Sequence, residues 1–444
     1  LDWSETDASP DIRISDFSRS VRLIGANKKE DNFMHYDVIV IGMGLSGLMA
    51  AKTAAEAGQK VLIVGKGMGS LCLFSNTIDV LGLPPPAGPK ALKMRDALSK
   101  WIQDHPEHPY SKVGLERMEE ALSSFLSLFP HPYSFQTVGG TNCLLPTGAG
   151  TLRPTYLVPT TMIEATSFDD GHTLVVGFEG FKDFSAHYVA DQLKCRGISL
   201  QLPDSIYQER TATALARLME EQSFRENIGR ETKKQLQGET RVGFPALLGM
   251  HDPVQVKEKL EAMMGTKVFE IPILPPSIPG KRIFDRFKEW LIRKSVTFLL
   301  GYPVSKAILT EKRCQAIEVF HPPVITSHSA DRFILATGRF MGGGLKADAE
   351  KILEPVFNFS VHQPPSREGW FGNLFFSDLP HPIHQAGIRT NAFFQPVDDG
   401  GDVILENVWV AGSVLAHHHC IEEKSREGIE ISTGYMAAKY AIGT

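Results

Sequence analysis

An α/β fold organised around a parallel sheet, with a second α/β unit inserted into it, is what this sequence predicts. Three observations carry the prediction. "YDVIVIGMGLSGLMAAKTAAEAGQKVLIVGKG" (36–67) reads as strand, glycine-rich turn, helix and strand, in that order. "DRFILATG" (331–338) and "ENVWVAGSV" (406–414) read as buried-type strands ending in glycine, far along the chain. Between these parts, "TLVVGFEGFKDFSAHYVADQLKCRGI" (173–198) is a second strand, turn and helix.

The first stretch contains Gly42-Met43-Gly44-Leu45-Ser46-Gly47, a G-x-G-x-x-G turn between a strand and a helix. Gly42 permits the tight turn, Gly44 leaves room for a phosphate to approach the backbone, and Gly47 lets helix and strand pack closely. The helix that opens at Leu45 and Ser46 offers free N–H groups and a partial positive charge to phosphates. The expected fold is therefore the FAD/NAD(P)-binding Rossmann-like one. A ribose-binding acid belongs about 20 residues further on. The sequence has Gly65 and Lys66 there instead, and Lys66 either meets a phosphate or is solvated in the loop.

The later elements follow in order. Residues 83–90, "LPPPAGPK", are a Pro/Gly connector. Residues 91–129 carry helix-spaced apolar positions, and 138–159 read as turns and short strands. In 173–198, Asp183 is a candidate helix cap and Gly197 the helix end. "FEIPILPPSIPG" (269–280) begins as a strand, and 424–442 is a closing helix. The expected division is 34–139 plus 281–444 as the Rossmann-like domain, with 140–280 inserted as a substrate cap or partner-binding domain. Residues 1–33 are expected to be an extension, left by expression or processing or docking on a partner; Met34 is the natural-looking start.

The 444 residues suggest two to three domains at about 150 residues each. A net charge of −5 without basic blocks gives no nucleic-acid footprint. Cys72, Cys143, Cys195, Cys314 and Cys420 are scattered and never spaced CxxC, which argues against zinc or iron–sulfur ligation in this chain. No apolar run is long enough to span a membrane.

Within 69–84, Ser70, Ser75, Asn76 and Thr77 are small polar groups suited to a flavin edge or a phosphate. Thr337 and Gly338 close the Ala-Thr-Gly strand end. Gly412-Ser413 stands where many flavoproteins have Gly-Asp, so a second expected acid is missing. His417-His418-His419-Cys420 is read as a loop near the cofactor, with one histidine tuning a ring or relaying a proton, rather than as a metal site. His384, His417, His419 and Arg282 are the candidate catalytic groups. Arg153, Arg282, Arg339 and Arg367 lie in Gly/Pro-rich segments and suit a phosphorylated or carboxylated substrate.

From about 36 to 442 the chain resembles the B subunits of anaerobic glycerol-3-phosphate dehydrogenases. The resemblance rests on "DVIVIGMGLSGL", "FSNTIDVL", "HPYS", "LPTGAGTLRPTYL", "VVGFEGFKDFSAH", "LPPSIPGKRI", "ILATGRFMGGGL", "SREGW" and "AGSV", in that order. It implies a part in oxidising sn-glycerol 3-phosphate to dihydroxyacetone phosphate, with electrons passing towards quinone. It also implies FMN in this chain, FAD being the alternative; an FAD-bearing catalytic A-type partner; and a C-type partner with iron–sulfur clusters that supplies the membrane link. The chain itself is then cytoplasmic. FMN has no adenosine, so the missing ribose acid is unneeded. The sequence departs from the family at "LAHHHCIEEKSREG" (415–428), where the family is glycine-rich. Two other readings stand beside this one: a self-sufficient FAD oxidoreductase acting on a small anionic substrate, and a cofactor-free structural subunit.

Overall fold

The computed structural model describes residues 35–82, 92–168, 170–202, 210–374 and 380–443. The expected extension at 1–33 and connector at 83–90 lie outside them. Among the described residues, seven strands form one sheet in the order Thr297–Leu300, Val61–Gly65, His35–Ile41, Val324–Leu335, Arg313–His321, Val304–Thr310, with Val408–Val410 also on Val324–Leu335. The strands 297–300, 61–65, 35–41, 324–335 and 408–410 are parallel. Such strands are covered on both faces, which is why "VIVI" and "VLIV" are continuous apolar runs rather than alternating ones. The remaining two strands extend the sheet as an antiparallel ribbon.

The helix Leu45–Glu56 follows the first strand at once and is buried from Leu45 to Ala55. Its alanines leave room for the closing helix, Arg426–Ile442, which lies against it. The contact needs Gly434, because a Cβ there would run into the Ser46 carbonyl. Gly443, in the left-handed conformation, ends the closing helix.

A second, fully parallel sheet has the order Lys267–Ile271, Arg241–Pro245, Thr173–Phe178, Arg196–Leu200. It has its own apolar core, which includes Val175, Val189, Phe244 and Phe269. The helix after Thr173–Phe178 is Ala186–Leu193. Its cap is Ser185, whose side chain accepts from the Tyr188 N–H, and not Asp183. The helix stops at Leu193 because Lys194 turns left-handed. Gly197 belongs to the next strand, where a Cβ would come 2.7 Å from the Ala190 Cβ. That glycine serves helix–strand packing, not helix termination.

The helix Ile278–Arg293 joins the two parts. Ile278 lies in the second core, whereas Ile283, Phe287 and Leu291 lie in the first. Its Gly280 sits so close to the 69–72 turn that a Cβ would strike the Leu71 carbonyl. Among the described residues no helix is long and apolar enough to cross a membrane.

Candidate functional site

Residues following the C-terminal ends of the parallel strands line one cavity of about 1480 Å³. Open α/β sheets place ligands at this edge. The volume exceeds the roughly 300–1,000 Å³ of common small-molecule sites, leaving room for a flavin and a second ligand. Gly42, Gly44, Ser46, Gly65, Lys66, Thr337, Gly338, Ser413 and His384, all marked out by the sequence, face it. The structure thus gathers residues from widely separated segments.

The glycines divide the labour. A Cβ on Gly42 (φ +119°) would run into the Ala336 carbonyl, and one on Gly47 into the Gly42 carbonyl. These two residues bring strand, turn and helix together. Gly44 is different: a Cβ there meets nothing within 4 Å. Its missing side chain leaves open space at the helix N-terminus, the cradle a phosphate needs. Gly412 (φ +81°) lies behind the cavity wall, where any side chain would strike the Ser46 hydroxyl. Leu45 is buried in the core.

Three buried polar atoms on cavity-lining residues have no protein partner, Thr337 Oγ1, Arg153 Nε and Arg426 Nη1. Buried donors are ordinarily satisfied, so a polar ligand is the natural partner. Lys66, Lys346 and Lys424 also line the cavity, and among the described residues none of them is in an ion pair. Arg426 lies over the Phe74 ring, 3.4 Å from its centroid, and pairs with Glu427. Arg153 pairs with the buried Asp79. A flavin, with a phosphate and several polar edges, fits this set of donors.

Other candidates lie elsewhere. Asn76 is buried, and its amide donates to Leu71 O (2.8 Å) and Ser277 Oγ (3.0 Å). Thr77 donates to Asp79 Oδ1 (3.3 Å), and Ser75 pairs with Thr77. None of the three lines the cavity; they shape the turn that puts Ser70, Cys72, Leu73 and Phe74 on it. Arg282 is buried and donates two hydrogen bonds to Glu270 (2.7 and 2.8 Å) and one to Gly249 O (2.9 Å), away from the cavity. Arg367 lies over Trp370 and donates to Asp348 O. Arg339 lines the cavity but is a staple rather than a substrate fork. It donates to Ser413 O (2.6 Å), His418 O (3.0 Å), Leu415 O (3.3 Å) and the His384 carbonyl. Sequence reasoning missed Arg426 and Glu430. Their four-residue spacing puts them on one helix face, but nothing local says which face meets the cavity.

The histidines form a chain of contacts that begins at the cavity wall with His384. His384 meets His419 edge to face at 4.6 Å between ring centroids. His419 Nδ1 accepts from the Glu422 N–H, so the proton of its neutral form sits on Nε2, which has no partner. Burial, then the His419, Arg339 and His381 neighbours, lower the His384 pKa. His384 is thus a neutral imidazole facing the cavity. Among the described residues no group of three or more His, Cys, Asp or Glu side chains is placed to hold a metal.

His417 points elsewhere. It is left-handed (φ 64°) and lies 4.3 Å from the His362 ring. Burial, His362 and Lys112 bring its pKa down to about 4. Unfolded histidine titrates near 6.5. Between about pH 6.5 and 4 the unfolded chain therefore binds a proton that the folded chain refuses, and stability falls as pH falls. Burial lowers the His418 pKa as well, and also those of His328, His362 and His384. The expected loss is at most about 1.4 kcal/mol per pH unit for each proton, less for a group as exposed as His417. His417→Asn keeps a residue tolerant of this backbone and should flatten the slope of urea stability between pH 7 and 5. Equal slopes in the two proteins would remove His417 from the account.

A model of the family described as FAD binding domain matches residues 37–428. The chain is 32% identical to the probable anaerobic glycerol-3-phosphate dehydrogenase B subunit of Halobacterium salinarum, over 91% of this chain and 97% of that one. It is 30% identical to the anaerobic glycerol-3-phosphate dehydrogenase B subunit of Vibrio cholerae, over 93% and 97%. With the corresponding chain of Aliivibrio fischeri the identity is 28%, over 92% and 96%.

Proposed function

The chain belongs to the FAD binding domain family and to the family of anaerobic glycerol-3-phosphate dehydrogenase B subunits, and from that premise we propose that it is the flavin-dependent B-type component of such a complex. It takes part in oxidising sn-glycerol 3-phosphate to dihydroxyacetone phosphate. Its partners are an FAD-bearing A-type catalytic subunit and a C-type iron–sulfur subunit, which passes electrons towards quinone and supplies any membrane contact. The observation that carries this reading is the open space at Gly44, at the mouth of a glycine turn, in a cavity holding unpartnered donors from Thr337 and Arg426.

A bound flavin supplies two-electron acceptance and one-electron release. The chain's own residues do the rest. The N–H groups at Leu45 and Ser46 and the open face of Gly44 would hold the flavin's phosphate. Thr337 and Arg426 would donate to its polar edges. His384, neutral and beside His419, would be the group placed to take up and return a proton when a bound flavin is reduced. Residues 140–280 are the inserted cap or partner-binding domain; Arg153 brings that part of the chain to the cavity. FMN suits the end of the second strand, where Gly65 and Lys66 offer no carboxylate to an adenosine ribose.

Denaturing the purified protein and identifying the released cofactor by mass tests this directly. FMN is expected. FAD would favour the self-sufficient oxidoreductase, and no flavin from an intact complex would leave the structural subunit. His384→Asn should retain its flavin but slow flavin reduction by glycerol 3-phosphate about 10²-fold or more in the assembled complex. An unchanged stopped-flow rate would take His384 out of proton handling.

A further inference from the structure

Two acids that a flavoprotein of this fold ordinarily uses are absent, and the second of them belongs directly after Gly412. The structure brings a different carboxyl to that place. Glu430 lies on the closing helix, is 5% exposed and lines the cavity. A Cβ on Gly412 would lie 4.0 Å from Glu430 Cγ. The same Cβ would strike the Ser46 hydroxyl, so Glu430 sits beside the N-terminus of the first helix. The Ser70 hydroxyl donates to Glu430 Oε1 at 3.3 Å. Arg426, one turn earlier, is the nearby opposite charge, yet Glu430 is in no ion pair among the described residues.

We propose that Glu430 is the flavin-holding acid of this chain, accepting hydrogen bonds from the hydroxyls of the polyol chain in place of the acid missing after Gly412. The inference rests on the flavin reading above. The chemistry selects the polyol. A phosphate only accepts hydrogen bonds and would be repelled by a carboxylate, whereas the helix N-terminus beside Glu430 suits it. The polyol offers several O–H donors, which a carboxyl can accept whether ionised or not. Burial raises the Glu430 pKa against the pull of Arg426, so the group is a poor free anion and gains from a donor that satisfies it.

The test compares two flavins on the full-length chain stripped of cofactor, by fluorescence titration. FMN carries the polyol; lumiflavin has the same ring and lacks it. Glu430→Ala should weaken FMN binding by about 10- to 100-fold and leave lumiflavin binding unchanged. Glu430→Gln, which keeps a carbonyl acceptor, should recover most of the loss. If alanine prevents folding, Glu430→Leu fills the space and must show the same split. Wild-type affinity for FMN in the variant overturns the inference, as does an equal loss for both flavins. A wild-type chain that binds neither flavin overturns the flavin reading itself, a result distinguishable from the other two.

Discussion

Gly44→Ala is expected to give a chain that folds as the wild type does and has lost its flavin. The backbone at Gly44 (φ −72°) is open to any residue, and an added Cβ touches no protein atom within 4 Å. What it fills is the space where phosphate must approach the helix N-terminus. Gly42→Ala should behave in the opposite way. Its φ of +119° and the Ala336 carbonyl exclude a side chain whether or not ligand is present. A cost of about 2–4 kcal/mol follows from strained backbone and overpacking together. Urea titration of both flavin-free variants, with flavin content measured alongside, separates the two roles. A stable Gly44→Ala protein with full flavin would mean that the phosphate lies elsewhere.

Arg282→Ala should be the most destabilising single change outside the glycine turn, by about 3–5 kcal/mol at neutral pH. The guanidinium holds both oxygens of Glu270, which also accept from Thr161 Oγ1 (2.6 Å) and the Leu248 N–H (2.9 Å). Burial alone would raise the Glu270 pKa, but Arg282 outweighs it and holds the carboxylate below its ordinary range. Removing Arg282 strands a buried charge. Arg282→Met with Glu270→Gln keeps acceptors for Thr161 and Leu248 without that charge, and should recover part of the loss. If the double variant were no more stable than Arg282→Ala, the loss would come from packing rather than from an uncompensated carboxylate. Arg282 lies on the helix joining the two cores, so the single variant should also loosen the 69–72 turn that faces the cavity.

The strand-turn-helix unit at 36–67 was legible because its signals are local: apolar runs, glycine spacing and length. The strand ends at Thr337 and Gly412 were legible for the same reason. Asn76 and Thr77 show the limit. Their residue types suit a ligand edge equally well, but burial turned them inward to satisfy the turn and Asp79. Arg339 sits on the cavity as an arginine for a substrate would, yet it donates to four backbone carbonyls. Glu430 could not be found from sequence, because its role depends on a helix packing that joins residues 360 positions apart.

That separation also sets when the cofactor can arrive. Residues 35–74 leave the ribosome well before the strand Val324–Leu335, which flanks their first strand, and before the helix bearing Arg426 and Glu430. The nascent chain thus presents a phosphate cradle without walls. Domains made in one continuous stretch can close as they emerge; this cavity closes only after residues 426–430 have been added. Cofactor loading accordingly waits for the closing helix, and a message truncated anywhere before it encodes a chain with no complete site to fill.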